Sequence, residues 1–165
     1  MGDFALQVVR SLTARGLTVA VAESVTGGAV ASDLVSVPGA SGCLRGGVVA
    51  YATETKHTVL GVPAAVLAAH GAVHPQVALA MARRVRAMFG ADIGLATTGV
   101  AGPEPQDGRP VGEVHVAVVD AHGEQVVSLS VDPGRGRDGV RAAAGGAALE
   151  LVLRRVATAD AGPGG

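Results

Sequence analysis

Residues 17–28, Leu-Thr-Val-Ala-Val-Ala-Glu-Ser-Val-Thr-Gly-Gly, decide the fold of this 165-residue chain. The first six residues are almost wholly apolar, as expected for a short strand that is buried on both faces. Ser24 to Gly28 then predict a turn, and Ala29 to Val37 have the apolar pattern of a helix. A strand, a turn and a helix in this order are typical of an α/β domain.

The same alternation continues along the rest of the chain. Helices are predicted over 3–15, 29–37, 53–60, from 63, over 75–89 and over 137–156, and strands over 17–22, 47–52, 93–97, 113–119 and 125–131. Thr53 is the expected cap of its helix, which places Lys56 in the first turn. His74 is expected at the start of the helix that begins at Pro75. The Gly145-Gly146 pair predicts close backbone packing, because each glycine costs a helix about 1 kcal/mol relative to alanine.

Composition narrows the classes of protein that this chain can belong to. The net charge of −1 gives no electrostatic reason to bind nucleic acid or an anionic membrane. The longest stretch without charge, His57 to Ala82, is interrupted by glycines and prolines and cannot cross a bilayer. No signal peptide is visible, and one cysteine excludes an internal disulfide, so a cytoplasmic location is expected. The five histidines form no metal-binding pattern, and we expect neither a metal nor a cofactor.

Lys56 is the only lysine in a chain with twelve arginines. Arginine stays protonated, whereas a desolvated lysine can lose its proton near neutrality and act as a base. A serine hydroxyl becomes a good nucleophile only when such a base removes its proton. Ser24 and Lys56 are therefore the candidate catalytic pair, and Tyr51 would orient the amine or relay the proton. The alternatives are an ordinary helix cap at Ser24, a solvated Lys56 and a rim aromatic at Tyr51.

Backbone N–H groups in the turn after the first strand are candidates for binding an anion. Ligands of open α/β sheets bind at the carboxyl ends of the strands, where three loops are predicted: Glu23 to Gly28, Tyr51 to Lys56, and Thr97 to Gly102. The N–H groups of Thr26, Gly27 and Gly28 would hold an oxyanion or a phosphate at the start of a helix. An ordinary helix cap with flexible glycines explains the same residues.

Two further groups of residues are candidate ligands of the substrate. Thr98, Gly99 and Gly102 belong to a glycine-rich turn that follows the third predicted strand. Arg137 and Arg141 are four residues apart on the last helix, so both guanidinium groups lie on one face and suit an anion. Two solvated helix arginines are the alternative.

The motifs taken together resemble the C-terminal domain of the CinA family, which also occurs as free-standing nicotinamide-nucleotide amidohydrolases. Each motif is weak alone, but as a set in family order they are highly specific. They are Val21-Ala22-Glu23-Ser24-Val25-Thr26-Gly27-Gly28, Gly47-Val48-Val49-Ala50-Tyr51 with Lys56, Leu60-Gly61-Val62, His70-Gly71-Ala72-Val73, Thr98-Gly99-Val100-Ala101-Gly102-Pro103, Arg109-Pro110-Val111-Gly112, and the segment from Gly134 to Arg141.

The resemblance implies a fold and an activity. The fold would be a three-layer α/β/α sandwich with a mixed, mostly parallel sheet over residues 1–156, and we expect a flexible tail over 157–165. The activity would be hydrolysis of nicotinamide mononucleotide to nicotinate mononucleotide and ammonia, with the family's Ser/Lys dyad on Ser24 and Lys56. The larger first domain of the family is absent, so the stand-alone form is expected.

The resemblance also bears on the partner of the chain, and the sequence leaves alternative functions open. The partner would be a small nucleotide substrate, and a homo-oligomer is compatible with the sequence. Glu104-Pro105 replaces the family's usual glycine-rich continuation, which alters the shape of that loop. A non-catalytic nucleotide-binding module is the main alternative function, and a Ser/Lys peptidase is a weaker one.

Overall fold

The computed structural model describes residues 2–160, which form six α-helices and five β-strands. In chain order these are α1 Gly2–Arg15, β1 Val19–Glu23, α2 Ala29–Val35, β2 Leu44–Val49, α3 Thr53–Thr58, α4 Ala64–His70, α5 Pro75–Phe89, β3 Ile93–Gly99, β4 Glu113–Asp120, β5 Gly123–Ser130 and α6 Gly136–Asp160, with short 3-10 helices at Ala40–Gly42 and Pro133–Arg135. The α/β class predicted from the sequence is confirmed. Within residues 2–160, no helix combines the length and the apolar character that crossing a membrane requires.

The strands form one mixed sheet in the order β2-β1-β3-β4-β5. β1 pairs in parallel with β2 and β3, whereas β4 pairs antiparallel with β3 and with β5. All strands except β4 therefore run in the same direction, and the prediction of a mixed, mostly parallel sheet is confirmed. The carboxyl ends of β2, β1 and β3 lie side by side, so the loops that follow them meet at one edge of the sheet.

Helices cover both faces of the sheet, and the two faces carry side chains of different size. Val19 and Val21 of β1 belong to a core cluster shared with α1, α2 and α6. Ala20 and Ala22 of the same strand belong to a second cluster, shared with α5. The small residues let α5 lie close to the sheet, since a Cβ on Gly94 would be only 2.1 Å from a backbone oxygen of that helix. The three-layer arrangement is therefore confirmed.

The second strand begins earlier than predicted. It spans Leu44–Val49 instead of 47–52, and alternate residues of this edge strand are exposed. The apolar run from Val48 to Ala50 suggested a later start. Gly47 lies inside the strand, and glycine is favoured at this position because a Cβ would come within 2.6 Å of the Val21 side chain.

The helices around the site begin close to their predicted positions. α3 begins at Thr53, but the extended Ala52 occupies the cap position, so the prediction that Thr53 is the cap is wrong. α5 begins at Pro75 as predicted, and His74 caps it, because its Nδ1 atom accepts a hydrogen bond from the backbone N–H of Gln76.

The last helix is longer than predicted. α6 continues to Asp160, so residues 157–160 are helical, whereas residues 161–165 of the predicted flexible tail lie outside the described residues. The close backbone packing predicted for the glycine pair is wrong at Gly146, where a Cβ would meet nothing within 4 Å. At this position glycine lowers helix propensity without a packing role.

Two glycine-to-alanine substitutions should therefore have opposite effects on the free energy of unfolding. Gly146→Ala should stabilise the protein by about 1 kcal/mol, because it adds helix propensity in open space. Gly94→Ala should destabilise it by about 3 kcal/mol or more, because α5 must move away from the sheet. Urea denaturation measures both values. A neutral Gly94→Ala variant would contradict the close approach of α5.

Candidate functional site

Ser24 and Lys56 approach each other at the edge of the sheet where β1, β2 and β3 end. Ser24 directly follows β1, and its backbone N–H donates to the carbonyl of Thr97 on β3 at 3.0 Å. Lys56 lies on α3, which follows β2 after a short turn. The Lys56 Nζ atom is 3.0 Å from the Ser24 Oγ atom. The two side chains that composition and loop chemistry singled out are therefore in hydrogen-bond contact.

The Lys56 side chain is buried and its amine has three oxygen neighbours. Only 1% of the residue is exposed. Besides the Ser24 hydroxyl, Nζ donates to the carbonyl oxygens of Ala50 at 2.9 Å and Tyr51 at 3.3 Å. A neutral amine has two N–H donors and one lone pair. The two carbonyls can only accept, so in the neutral state the lone pair faces the Ser24 hydroxyl.

Burial also changes the acidity of this amine. Loss of solvation lowers the pKa of Lys56 from 10.5 to about 8, against the opposing effect of the carboxylates of Asp107 and Glu54. At pH 7 about one tenth of the molecules then have a neutral Lys56. The arrangement provides a base next to a hydroxyl group.

The turn after β1 is held by the buried carboxylate of Glu23, which caps α2. Its Oε2 atom accepts hydrogen bonds from the N–H groups of Gly28 and Val30 at 2.9 and 3.1 Å, and its Oε1 atom accepts from Ala31 at 2.8 Å. Glu23 is 1% exposed. A negative charge at a helix N-terminus is favourable, so Glu23 fixes the backbone that carries Ser24.

This cap corrects the expected role of the glycines in the turn. The N–H of Gly28 is bound to Glu23, and the N–H of Gly27 donates to the Ser24 carbonyl at 3.0 Å. Neither group is therefore available to an oxyanion in this conformation. The backbone N–H groups of Val25 and Thr26 have no acceptor within the described part of the chain. Thr26 is fully buried, does not line the cleft, and its side chain is hydrogen-bonded to Thr97 at 2.7 Å.

The two arginines of α6 have different positions, although the sequence predicts a shared role. Arg137 lines the cleft and donates to the Gly102 carbonyl at 2.8 Å and to the Tyr51 hydroxyl. Arg141 donates to the Thr26 carbonyl at 3.0 Å and lies 3.6 Å from Asp138, behind the turn. The guanidinium group of Arg141 supports the Ser24 turn and does not line the cleft, so a contact between Arg141 and the substrate stays a prediction.

Tyr51 and Thr98 lie at the site, but their side chains have other contacts than expected. The Tyr51 carbonyl, not its phenol, contacts the Lys56 amine, and the phenol lies on the rim with 56% of the residue exposed. The Thr98 hydroxyl donates to the Ala72 carbonyl at 2.7 Å. Thr98 therefore anchors a wall of the cleft, and its proton is not free for an amide group.

A small cleft of about 90 Å³ opens above Ser24. Its lining comprises Ser24, Val25, Tyr51, Ala72, Val73, Thr98, Gly99, Val100, Ala101, Gly102, Glu104, Gln106 and Arg137. Lys56 lies beneath this surface and meets the cleft through Ser24. In residues 2–160, no group of three or more His, Cys, Asp or Glu side chains is arranged to hold a metal ion.

Two acidic residues, Glu23 and Asp107, have roles in the structure that were not predicted from the sequence. Glu23 is the cap of α2, and the feature that could have indicated this role is an acidic residue at the end of an apolar strand. Asp107 accepts a hydrogen bond from the N–H of Ala72 at 3.2 Å. The feature that could have indicated the position of Asp107 is the Asp107-Gly108 pair, which is typical of a tight two-residue turn.

Comparison with known proteins places the chain in one family. The family model of the CinA C-terminal domain matches residues 2–156. A CinA-like protein of Frankia casuarinae is 49% identical over 150 residues, which is 91% of this chain and 34% of the relative. A CinA-like protein of Anaeromyxobacter dehalogenans is 51% identical over 149 residues, or 88% of this chain and 35% of the relative. The chain therefore spans about a third of the length of these relatives.

Solved structures lead to the same family. The competence/damage inducible protein CihA of Agrobacterium tumefaciens is 34% identical, with a TM-score of 0.88 and coverage of 93% of both chains. A competence-damaged protein (CinA) superfamily protein of Klebsiella pneumoniae is 32% identical, with a TM-score of 0.90 and coverage of 95% of this chain and 98% of that one. The chain belongs to the CinA family and corresponds to its C-terminal domain.

Proposed function

We propose that this chain is an amidohydrolase that converts nicotinamide mononucleotide to nicotinate mononucleotide and ammonia, with Ser24 as nucleophile and Lys56 as base. The observation that carries the proposal is the buried Lys56 amine, whose Nζ atom lies 3.0 Å from the Ser24 Oγ atom at the floor of a cleft. The family membership supports the choice of substrate, because the CinA motifs resemble those of nicotinamide-nucleotide amidohydrolases.

Acylation begins when neutral Lys56 removes the proton of the Ser24 hydroxyl. The Ser24 Oγ atom forms a bond to the carboxamide carbon, and the carbonyl oxygen becomes an oxyanion. The N–H group of Val25, which lines the cleft, is the donor for this oxyanion, because those of Gly27 and Gly28 already have acceptors within the protein. Loss of one such donor typically raises the barrier by about 3 kcal/mol.

The leaving group then departs as ammonia. The carbon–nitrogen bond of the tetrahedral intermediate breaks, and protonated Lys56 gives its proton to the leaving nitrogen. An ester of Ser24 remains. Lys56, neutral again, removes a proton from water, whose oxygen attacks the ester carbon. The bond between the Ser24 Oγ atom and the carbon breaks, and Lys56 returns a proton to Ser24. The product acid loses its remaining proton to solvent and leaves as the carboxylate.

Arg137 is the proposed contact of the phosphate group. It is the arginine that lines the cleft, and its partners, the Tyr51 hydroxyl and the Gly102 carbonyl, lie on the rim. The N–H groups of Ala101 and Gly102 have no acceptor among residues 2–160 and face the same anion in this proposal. Guanidinium and backbone N–H groups together form the usual environment of a bound phosphate.

Replacement of either dyad residue should abolish turnover while the protein still folds. Ser24→Ala and Lys56→Arg should each lower ammonia release from nicotinamide mononucleotide at least about a thousandfold, because a nucleophile or a neutral base is lost. Lys56→Met serves as a second variant without a buried charge, and circular dichroism checks the fold. Arg154→Lys, on an exposed part of α6, is the matched control and should keep wild-type turnover.

Retained turnover in Lys56→Arg would contradict the role of Lys56 as base. Thermal stabilisation of the wild type by the nucleotide, without any ammonia release, would instead favour the non-catalytic binding module.

The pH profile should follow the deprotonation of Lys56. Its pKa is lowered to about 8, and the neutral form is the active one, so activity increases as the pH rises through that value. Below it, kcat/KM should rise about tenfold per pH unit, and above it a plateau should appear. Initial rates of ammonia release between pH 6 and 9.5 measure this profile. A profile that is flat or falling between pH 6.5 and 8 would contradict general-base catalysis by Lys56.

A further inference from the structure

Residues 103–110, called the cleft loop below, end in a tight turn that lies over the site. The backbone groups of Gln106 and Arg109 pair with each other at 3.1 and 2.8 Å. Between them, Asp107 and Gly108 have φ angles of 50° and 73°. A two-residue turn with both φ angles positive strongly prefers Asp-Gly or Asn-Gly, so the turn is intrinsically favoured at this position.

The tip of the cleft loop is docked on the backbone of Ala72. The Asp107 Oδ2 atom accepts a hydrogen bond from the Ala72 N–H at 3.2 Å. On the other side, the Ala72 carbonyl accepts from the Thr98 hydroxyl at 2.7 Å. Gly71 makes room for this contact, because a Cβ there would be 3.2 Å from the Asp107 carboxylate. The Ala72 peptide groups are thus held from two directions.

Both segments joined by this hydrogen bond line the cleft. Ala72 and Val73 form one part of its wall, and Glu104 and Gln106 of the cleft loop form another. The contact between Asp107 and Ala72 therefore joins two parts of the cleft wall. Among the described residues, it is also the only hydrogen bond between the cleft loop and residues 71–74.

The same carboxylate acts on the amine beneath the cleft. Asp107 is the first of two acidic groups that raise the pKa of Lys56 against the effect of burial, and Glu54, on the same helix as Lys56, is the second. Asp107 comes from a different element and lies on the exposed side of the site. Removal of its charge changes the field at Lys56 without changing the helix that carries the lysine.

Building on the proposed function, we propose that Asp107 is a positioning residue, which latches the cleft loop to Ala72 and thereby sets the fit of the substrate. A surface acid that serves only its own turn would have no such effect. The hydrogen bond to Ala72 and the electrostatic effect on Lys56 can be separated chemically. The hydrogen bond needs only an acceptor, whereas the electrostatic effect needs a charge.

Two substitutions separate these roles. Asp107→Asn keeps an acceptor for the Ala72 N–H and a residue suited to the turn, but removes the charge. Asp107→Gly removes the acceptor and the charge, and glycine tolerates the positive φ angle. Glu150→Gln, a surface variant in the middle of α6, is the control for loss of one carboxylate.

We expect Asp107→Asn to keep the wild-type KM for nicotinamide mononucleotide and to move the midpoint of the kcat/KM profile to lower pH. Asp107→Gly should move the midpoint in the same direction and also raise KM about tenfold, because the charge-assisted hydrogen bond that holds the cleft wall is lost. The Ala72 amide should exchange its hydrogen faster than in the wild type only in Asp107→Gly. Glu150→Gln should match the wild type in all three measurements.

Wild-type KM and wild-type Ala72 exchange in Asp107→Gly would overturn the latch. An unchanged midpoint in Asp107→Asn would overturn the effect on the base. Amide exchange does not depend on turnover, so the latch is tested even if the wild type releases no ammonia. In that case the proposed function fails, whereas faster Ala72 exchange in Asp107→Gly still supports the latch.

Discussion

The buried amine of Lys56 is the constraint on which the rest of the site depends. With 1% of the residue exposed, the amine must find its partners inside the protein, and two backbone carbonyls and the Ser24 hydroxyl supply them. The fall of its pKa from 10.5 to about 8 corresponds to a cost of about 3 kcal/mol for keeping the charged form in this place. The stability of the rest of the fold offsets this cost, and the lowered pKa lets Lys56 act as a base near neutral pH.

The architecture explains how such a position is created. Because β1 lies between β2 and β3, the residue that ends β1 is flanked by the loops that follow both neighbours. A short turn joins β2 to α3, and Lys56 of this helix points back toward Ser24. Glu23 occupies the N-terminus of α2, and Arg141 holds the Thr26 carbonyl, so the Ser24 turn is rigid before any ligand arrives. A rigid turn reduces the reorganisation needed to stabilise an oxyanion.

Much of the fold and the central pair follow from the sequence, whereas the roles of the surrounding residues do not. The buried run before Ser24 and the helix bounded by Pro75 and Gly90 carry strong local signals. The helix is found where predicted, and the strand begins two residues later than predicted, at Val19. Lys56 could be identified from the sequence because it is the only lysine, and a count of residue types does not depend on how the chain folds. The errors concern competition for hydrogen bonds. Spacing shows that Gly28 and Arg141 are near a ligand site, but not that Glu23 and the Thr26 carbonyl already occupy their donors.

The central claim can be measured directly, because Lys56 is the only lysine in the chain. Protein labelled with 15N at the lysine Nζ atom gives a single side-chain signal, whose chemical shift can be followed from pH 6 to 11 by NMR. We predict a midpoint at about pH 8, the pKa expected for the buried amine. A midpoint near the ordinary lysine value of about 10.4 would show an amine that stays charged at neutral pH, and would contradict its role as a base.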